Sequence, residues 1–222
     1  NEIVKANARV VVLTGAGRGF CAGQDLSDRA VAPTEDGVDL GESLEVRYNP
    51  LVKRIATLEM PVICAVNGVA AGAGANIALA CDIVIAARSA KFIQSFANIG
   101  LIPDSGGTWT LPRTVGLTRA LGMALTGEPV NAERAESFGM IWKCVDDDKL
   151  IAETDALAAK FASAPTKGLA ATKKLIRESA LHAFEQQLLL ERDTQRRLGH
   201  THDYREGVAA FLEKRTPNFT GH

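Results

Sequence analysis

Residues 61–75 read PVICAVNGVAAGAGA, which combines three structural signals in one short stretch. Residues 61–66 are apolar and begin with a proline, which predicts a buried strand. An Asn-Gly turn dipeptide follows, and the small residues after it predict a helix as far as Leu79. A further apolar run at residues 82–87 predicts another buried strand. Strands that are apolar on both faces and separated by helices are typical of a parallel sheet covered on both sides.

The rest of the chain divides into a mixed α/β part and a helical end. Residues 9–14 predict a strand that enters a glycine-rich turn, residues 28–41 predict a polar loop, and a helix over 44–58 is bent or restarted at Pro50. Further on, helices are predicted over 117–125, 132–138, 149–163, 167–179, 181–198 and 204–214, with a last strand at 140–145. A boundary at Ala164 and Pro165 separates a core of residues 1–165 from a helical region of residues 166–222, where Thr166 is the expected N-cap.

Composition excludes several classes of protein. The 222 residues carry 25 basic and 26 acidic side chains, a net charge of −1, which does not favour nucleic acid or an anionic membrane as a partner. We find neither a continuous apolar run of membrane-spanning length nor a secretion signal. The four cysteines form no Cys-x-x-Cys pair, so we expect reduced thiols in a cytoplasmic protein. The pair His200 and His202 is more typical of a solvated surface than of a metal site, and no metal is expected.

Two glycine-rich segments, residues 20–26 and 67–75, each follow a predicted strand. The glycine-rich turn at residues 15–19, just before the first segment, does not complete the dinucleotide-binding pattern G-x-G-x-x-G, because Phe20 occupies the last position. Small side chains allow a backbone to approach a ligand closely, and a helix N-terminus favours an oxygen that gains negative charge. The two segments therefore predict either an oxyanion hole made of backbone N–H groups or simply two tight turns.

These segments, together with residues 102–108 and 203–208, resemble the crotonase (enoyl-CoA hydratase/isomerase) superfamily over nearly the whole chain. The resemblance implies an α/β fold, a crotonase-like spiral of ββα units with a C-terminal helical oligomerisation region. It also implies a homo-oligomer, either a trimer or a dimer of trimers. The family's usual layout has a strand pair and a helix before the first strand seen here, so we expect a further segment to precede residue 1.

The resemblance implies a binding site for an acyl-CoA thioester and assigns residues to it. The oxyanion-hole donors would be the backbone N–H groups of Gln24 and Ala73. The CoA-binding residues would be Ala22, Asp25, Leu26 and Lys214, the last approaching the CoA phosphates. No tightly bound cofactor is expected, since coenzyme A is part of the substrate.

The chemistry depends on which carboxylates are present. Hydratases of the superfamily use two glutamates, but the matching positions hold Asn76 and Phe96, which cannot exchange a proton at neutral pH. The remaining candidate is Asp104, either an acid/base catalyst or an N-cap for a helix that begins near Gly106. The expected acyl-pocket residues are Asn76, Phe96, Ile102 and Trp109. The apolar members should raise the pKa of the Asp104 carboxyl.

One carboxylate with an oxyanion hole suffices to move a proton between two carbons, so the sequence predicts an isomerase. Residues 13–26, 100–104, 139–142 and 191–193 are similar to the family members that isomerise ring-epoxide thioesters in phenylacetate catabolism. We therefore expect activity on ring-epoxide and β,γ-unsaturated acyl-CoA thioesters. The alternatives are a Δ3,Δ2-enoyl-CoA isomerase of fatty-acid oxidation, a non-catalytic CoA-binding subunit, and, with the least support, a nucleotide binder.

Overall fold

The fold was analysed in a computed structural model, which describes residues 2, 6–27 and 37–222. The chain forms two compact units. The first, here called the terminal unit, comprises residues 1–11, 57–62 and 155–222, and the second, the central unit, comprises residues 12–56 and 63–154. The division falls inside a helix, upstream of the predicted boundary at Ala164 and Pro165.

A four-stranded sheet carries the buried strands that the sequence predicts. Its strands, in spatial order, are β1 (Val11–Thr14), β2 (Val62–Val66), β4 (Ile83–Ala87) and β7 (Lys143–Val145). β2 pairs in parallel with β4, and β4 pairs in parallel with β7. All five side chains of β2 are buried, which explains its continuous apolar sequence. The predicted parallel sheet is thus confirmed.

A second, three-stranded sheet was not predicted from the sequence. It contains β3 (Val69–Ala71), β5 (Lys91–Ile93) and β6 (Val130–Asn131), with β3 and β5 parallel and β6 antiparallel to β5. Strands of two or three residues are too short to show a period, so no sequence pattern indicates them. The consecutive strands β2 and β3 belong to different sheets, as do β4 and β5, and the helix α3 (Ala73–Ala80) follows β2 and β3. This ββα arrangement agrees with the predicted fold class.

The helix predicted over residues 44–58 begins earlier, at Leu40, and consists of three joined pieces. α1 (Leu40–Ser43) is capped by the Asp39 carboxylate, which accepts from the Gly41 amide at 2.8 Å. A π-helical turn (Leu44–Tyr48) follows without a break, and α2 (Asn49–Thr57) continues the helix with Pro50 as its second residue. The Asn49 amide donates to the Leu44 carbonyl, and Pro50, which has no N–H to donate, directly follows this wider turn. Of the predicted 28–41 loop, residues 28–36 lie outside the described residues, and residues 40–41 belong to α1 instead.

The later helices begin and end within a few residues of their predicted bounds. They are α4 (Gly107–Val115), α5 (Leu117–Thr126), α6 (Ala132–Ser137), α7 (Leu150–Ala162), α8 (Thr166–Ser179), α9 (Phe184–Leu198) and α10 (His202–Glu213). The prediction for Thr166 is wrong, because the N-cap is Pro165 and Thr166 is the first helical residue. The Thr166 hydroxyl accepts instead from Nε of Arg9 at 3.0 Å. Among the described helices, none is long and apolar enough to cross a membrane.

Candidate active site

The side chain of Asn67 joins the second glycine-rich segment to the turn that follows β1. Its Oδ1 accepts from the Gly15 amide at 3.1 Å, and its Nδ2 donates to the carbonyls of Gly17 at 2.9 Å and Gly19 at 3.2 Å. One amide side chain thus fixes the turn after β1 against the turn after β2. The Asn-Gly dipeptide that marked a turn in the sequence also holds the neighbouring loop in place.

Glycine is required where the two segments touch. A Cβ at Gly74 would lie 2.2 Å from the carbonyl oxygen of Cys21, so a side chain at this position would collide with backbone. Gly23 has φ +90°, and a Cβ there would lie 3.0 Å from the Ala71 oxygen and 3.3 Å from the Ala73 nitrogen. The residue before Gln24 therefore packs directly against the start of α3.

The backbone amides of Gln24 and Ala73 are the expected oxyanion donors. Ala73 is the first residue of α3, where an amide has no intrahelical acceptor and the helix dipole favours negative charge. Within the described part of the chain, neither amide donates to a protein acceptor. Two such amides, on segments that pack together, can both donate to an oxygen that gains negative charge. Their role as an oxyanion hole remains a prediction.

Asp104 precedes a turn with an unusual backbone. Ser105 and Gly106 both have positive φ, 50° and 84°, and α4 begins at Gly107. The alternative prediction for Asp104, a helix cap, is not what the structure contains, because Gly106 is the N-cap and receives no side-chain capping bond. The Asp104 carboxylate instead accepts from the Ser105 hydroxyl at 2.9 Å.

Half-burial of the Asp104 carboxyl raises its pKa, since removal of water disfavours the charged form. The hydrogen bond from the Ser105 hydroxyl acts in the opposite direction, because it stabilises the carboxylate. The net result is an acid weaker than an ordinary aspartic acid. A raised pKa improves a carboxylate as a proton acceptor and donor near neutral pH.

Tyr48 belongs to the same site, although the sequence analysis did not single it out. Its hydroxyl donates to Oε1 of Gln24 at 2.8 Å. Burial raises the pKa of the Tyr48 phenol, and the nearby charge of Asp104 raises it further. Tyr48 ends the π-helical turn, a feature often found at functional sites. The available signal was Pro50, which marks the interruption of the helix but does not indicate which side chain the interruption exposes.

The two positions that the resemblance matches to the hydratase glutamates lie in the interior. Asn76 on α3 is 1% exposed, and Phe96 in the 3₁₀ turn Ser95–Ile99 is 6% exposed. A Cβ added at Gly72 would lie 3.7 Å from Cζ of Phe96, so this ring packs beside the start of α3. The Asn76 amide bonds to the Asp104 carbonyl and to Gln94, and its role in the acyl pocket remains a prediction. Neither position supplies a carboxylate.

Comparison with known proteins identifies the family of this chain. The profile of the family described as enoyl-CoA hydratase/isomerase matches residues 3–222. The chain belongs to the enoyl-CoA hydratase/isomerase family.

Individual members of the enoyl-CoA hydratase/isomerase family agree with this placement. The chain is 59% identical to 1,2-epoxyphenylacetyl-CoA isomerase of Escherichia coli (strain K12), over 96% of this chain and 81% of that protein. It is 50% identical to a probable enoyl-CoA hydratase of Rhodobacter capsulatus, over 98% of this chain and 83% of that one. The crystal structure of enoyl-CoA hydratase from Bacillus anthracis superimposes with a TM-score of 0.90 at 35% identity, covering 98% of this chain and 83% of that chain.

The predicted CoA-binding residues of this family member lie in both units. In the central unit, Ala22, Asp25 and Leu26 are exposed on the first glycine-rich segment. The Ser27 hydroxyl and amide both donate to the Asp25 carboxylate, and these hydrogen bonds hold the end of that segment. They also lower the pKa of the Asp25 carboxyl. Lys214 lies in the terminal unit, exposed at the C-cap of α10 with φ 55°. Their contact with CoA remains a prediction.

The two other predicted pocket residues lie on either side of the Asp104 turn. Ile102 is 76% exposed and Trp109 is 41% exposed. The guanidinium of Arg113 lies 4.2 Å from the centroid of the Trp109 ring, a cation–π contact within α4. Exposed apolar side chains beside a half-buried carboxylate are consistent with an apolar acyl group, and their role remains a prediction.

Proposed function

We propose that this protein is an acyl-CoA isomerase of phenylacetate degradation, which converts ring-1,2-epoxyphenylacetyl-CoA into oxepin-CoA and shifts β,γ double bonds of acyl-CoA thioesters. The observation that carries the proposal is the half-buried carboxylate of Asp104, together with Asn76 and Phe96 at the positions matched to the hydratase glutamates. The similarity to the Escherichia coli isomerase supports the ring-epoxide substrate.

The double-bond shift needs only a proton acceptor and an anion site. The Asp104 carboxylate removes a proton from a carbon next to the double bond, and the electron pair moves toward the thioester oxygen. The amides of Gln24 and Ala73 donate to that oxygen while it carries negative charge. The protonated Asp104 then returns the proton to a different carbon, so atoms and electrons balance without an oxidant, a reductant or a bound cofactor.

An absorbance assay with a β,γ-unsaturated acyl-CoA tests the proposal, because only the conjugated product absorbs in the near ultraviolet. We expect Asp104→Asn to lower kcat by about 10²-fold or more, since an amide cannot accept the proton. The exposed Asp148→Asn substitution in the same unit is the matched control and should leave the rate unchanged. Full activity in Asp104→Asn, or product that contains added water, would contradict the proposal.

A substrate panel separates the proposal from the two alternatives. Faster turnover of the ring-epoxide thioester than of aliphatic β,γ-enoyl thioesters supports phenylacetate degradation, and the reverse order supports an isomerase of fatty-acid oxidation. Binding of CoA thioesters with no turnover of any of them would indicate a non-catalytic subunit.

We also infer that the C-terminal helical region, residues 166–222, joins copies of the chain into a trimer or a dimer of trimers. Phe184 on α9 and Phe211 and Leu212 on α10 are 73%, 81% and 74% exposed in the isolated chain, which is unusual for large apolar side chains. Sedimentation velocity measures the association state, and a monomer at micromolar concentration would contradict the proposed oligomer.

A cytoplasmic location fits the four cysteines, none of which is in a disulfide.

A further inference from the structure

Asn76 lies on α3 one helical turn after Ala73, so a rigid helix joins it to an expected oxyanion donor. Its Nδ2 donates to the backbone carbonyl of Asp104 at 2.9 Å. The same carbonyl accepts from the Gly107 amide at 2.7 Å. Asp104 is thus held through its backbone from two directions, by α3 and by the first residue of α4.

The orientation of this network follows from its hydrogen bonds. The Asp104 carbonyl can only accept, so the Asn76 side chain must present Nδ2 to it and Oδ1 to Gln94. Gln94 must then present Nε2, which donates to Asn76 Oδ1 at 2.8 Å. This arrangement leaves Oε1 of Gln94, whose side chain is fully buried, without a partner among the described residues.

An unpartnered buried carbonyl oxygen costs about 1–3 kcal/mol. The protein retains it beside an Asp104 turn that already contains two residues with positive φ. The Asn76 amide also packs closely against the start of α4, because a Cβ at Gly107 would lie 2.4 Å from Asn76 Nδ2. The network thus connects α3 directly to the Asp104 turn, which indicates a role in holding that turn.

We propose that Asn76 is a positioning residue, which sets the Asp104 carboxylate relative to the Ala73 amide by donating from Nδ2 to the Asp104 carbonyl. The inference rests on the proposed isomerase function. It also implies that this site cannot simply regain a hydratase glutamate at position 76. A buried carboxylate there would face the Asp104 carbonyl oxygen with no proton to share, and the turn would be displaced.

Asn76→Leu and Asn76→Asp, measured in the double-bond-shift assay, test the inference. Asn76→Leu keeps the approximate size but removes the donor, and we expect kcat to fall at least tenfold while KM changes less than twofold. Asn76→Asp has a donor only while its carboxyl is protonated. Its rate relative to the parent at the same pH should therefore be highest in acid and fall as pH rises.

The matched control is Thr154→Val, which changes a buried side chain whose hydroxyl has no partner among the described residues. We expect it to leave kcat unchanged. If Asn76→Leu keeps the parent kcat while Asp104→Asn loses activity, the inference is wrong and the proposed function stands. If the parent itself shifts no double bond, both fail. Should Asn76→Leu not fold, a pH-independent rate ratio for Asn76→Asp overturns the inference.

Discussion

At the scale of single residues, the Asp104 carboxyl is subject to two opposing effects. Burial raises its pKa, and the hydrogen bond from Ser105 lowers it. Proton abstraction needs the ionised form, so the rate of the proposed reaction should rise with pH through the pKa of Asp104. That pKa lies above the ordinary aspartate value of 3.8.

Ser105→Ala removes the hydrogen bond that lowers the Asp104 pKa. We therefore expect the acidic limb of the kcat/KM profile to move to higher pH, with little change in the plateau rate. The measurement is the pH dependence of the double-bond shift in parent and variant. A limb that moves to lower pH, or does not move, would show that the Ser105 hydroxyl does not stabilise the carboxylate.

Asp104→Asn should separate activity from stability. A carboxyl whose pKa is raised by folding favours the folded state only when it is protonated, so its charge opposes folding at neutral pH. Removal of the charge should therefore leave the free energy of unfolding at pH 7 unchanged or higher, although activity is lost. Urea denaturation measures this, and a clear loss of stability would contradict the burial argument.

At the scale of elements, the contact between the glycine-rich segments gives a sharp prediction. Gly74→Ala places a Cβ 2.2 Å from the Cys21 carbonyl, and we expect a loss of about 3 kcal/mol in the free energy of unfolding. Gly122 is the matched control, an exposed glycine inside α5 with no atom within 4 Å of an added Cβ. Gly122→Ala should stabilise by about 0.5–1 kcal/mol. Equal effects in the two variants would rule out close approach as the cause.

The sequence predicted the long elements well because each shows a full period of its pattern. β2 and β4 appear as continuous apolar runs, and Pro50 marks the place where α2 follows the π-helical turn. The second sheet left no signal, since its strands are held by pairing between distant segments rather than by local pattern. The cap assigned to Thr166 failed because Arg9, far away in the sequence, engages its hydroxyl.

The candidate site was predictable only in part. Asp104, Gln24 and Ala73 came from motifs with a recognisable resemblance. Tyr48 and Gln94 came only from the structure, because their contacts with Gln24 and Asn76 span 24 and 18 residues of sequence. The hydrogen-bond partners of Asn76 also came only from the structure. The sequence indicated the absence of a glutamate at this position but not which groups the amide bonds to.

At the scale of the whole molecule, Asp203 fixes the C-terminal segment within the terminal unit. It is 4% exposed, and its two carboxylate oxygens accept from the amides of Thr220 and Gly221, each at 2.8 Å. Its own amide donates to the His222 carbonyl at 3.0 Å. Burial opposes the charge of Asp203, but the hydrogen bonds outweigh it and lower the pKa of this carboxyl.

We expect Asp203→Ala to lower the free energy of unfolding by about 3 kcal/mol, because two buried charge-assisted hydrogen bonds are lost. A lowered pKa also means that this contribution is present at neutral pH and lost as pH falls through the folded-state pKa, below 3.8. Urea denaturation between pH 7 and pH 3 measures both effects. The exposed Asp155→Asn in the same unit should change neither, and a parent-like Asp203→Ala would contradict the role assigned to these bonds.

The cation–π contact in α4 places a tryptophan, Trp109, where its fluorescence can report on the Asp104 turn. Only two tryptophans are present, and the second, Trp142, is 70% exposed and should tolerate phenylalanine. In a Trp142→Phe variant, intrinsic fluorescence would come from Trp109 alone, whose ring lies under Arg113 on the helix that begins just after the Asp104 turn. Movement of the turn or arrival of a thioester would change the emission of that one fluorophore, so stopped-flow fluorescence could follow binding without a label.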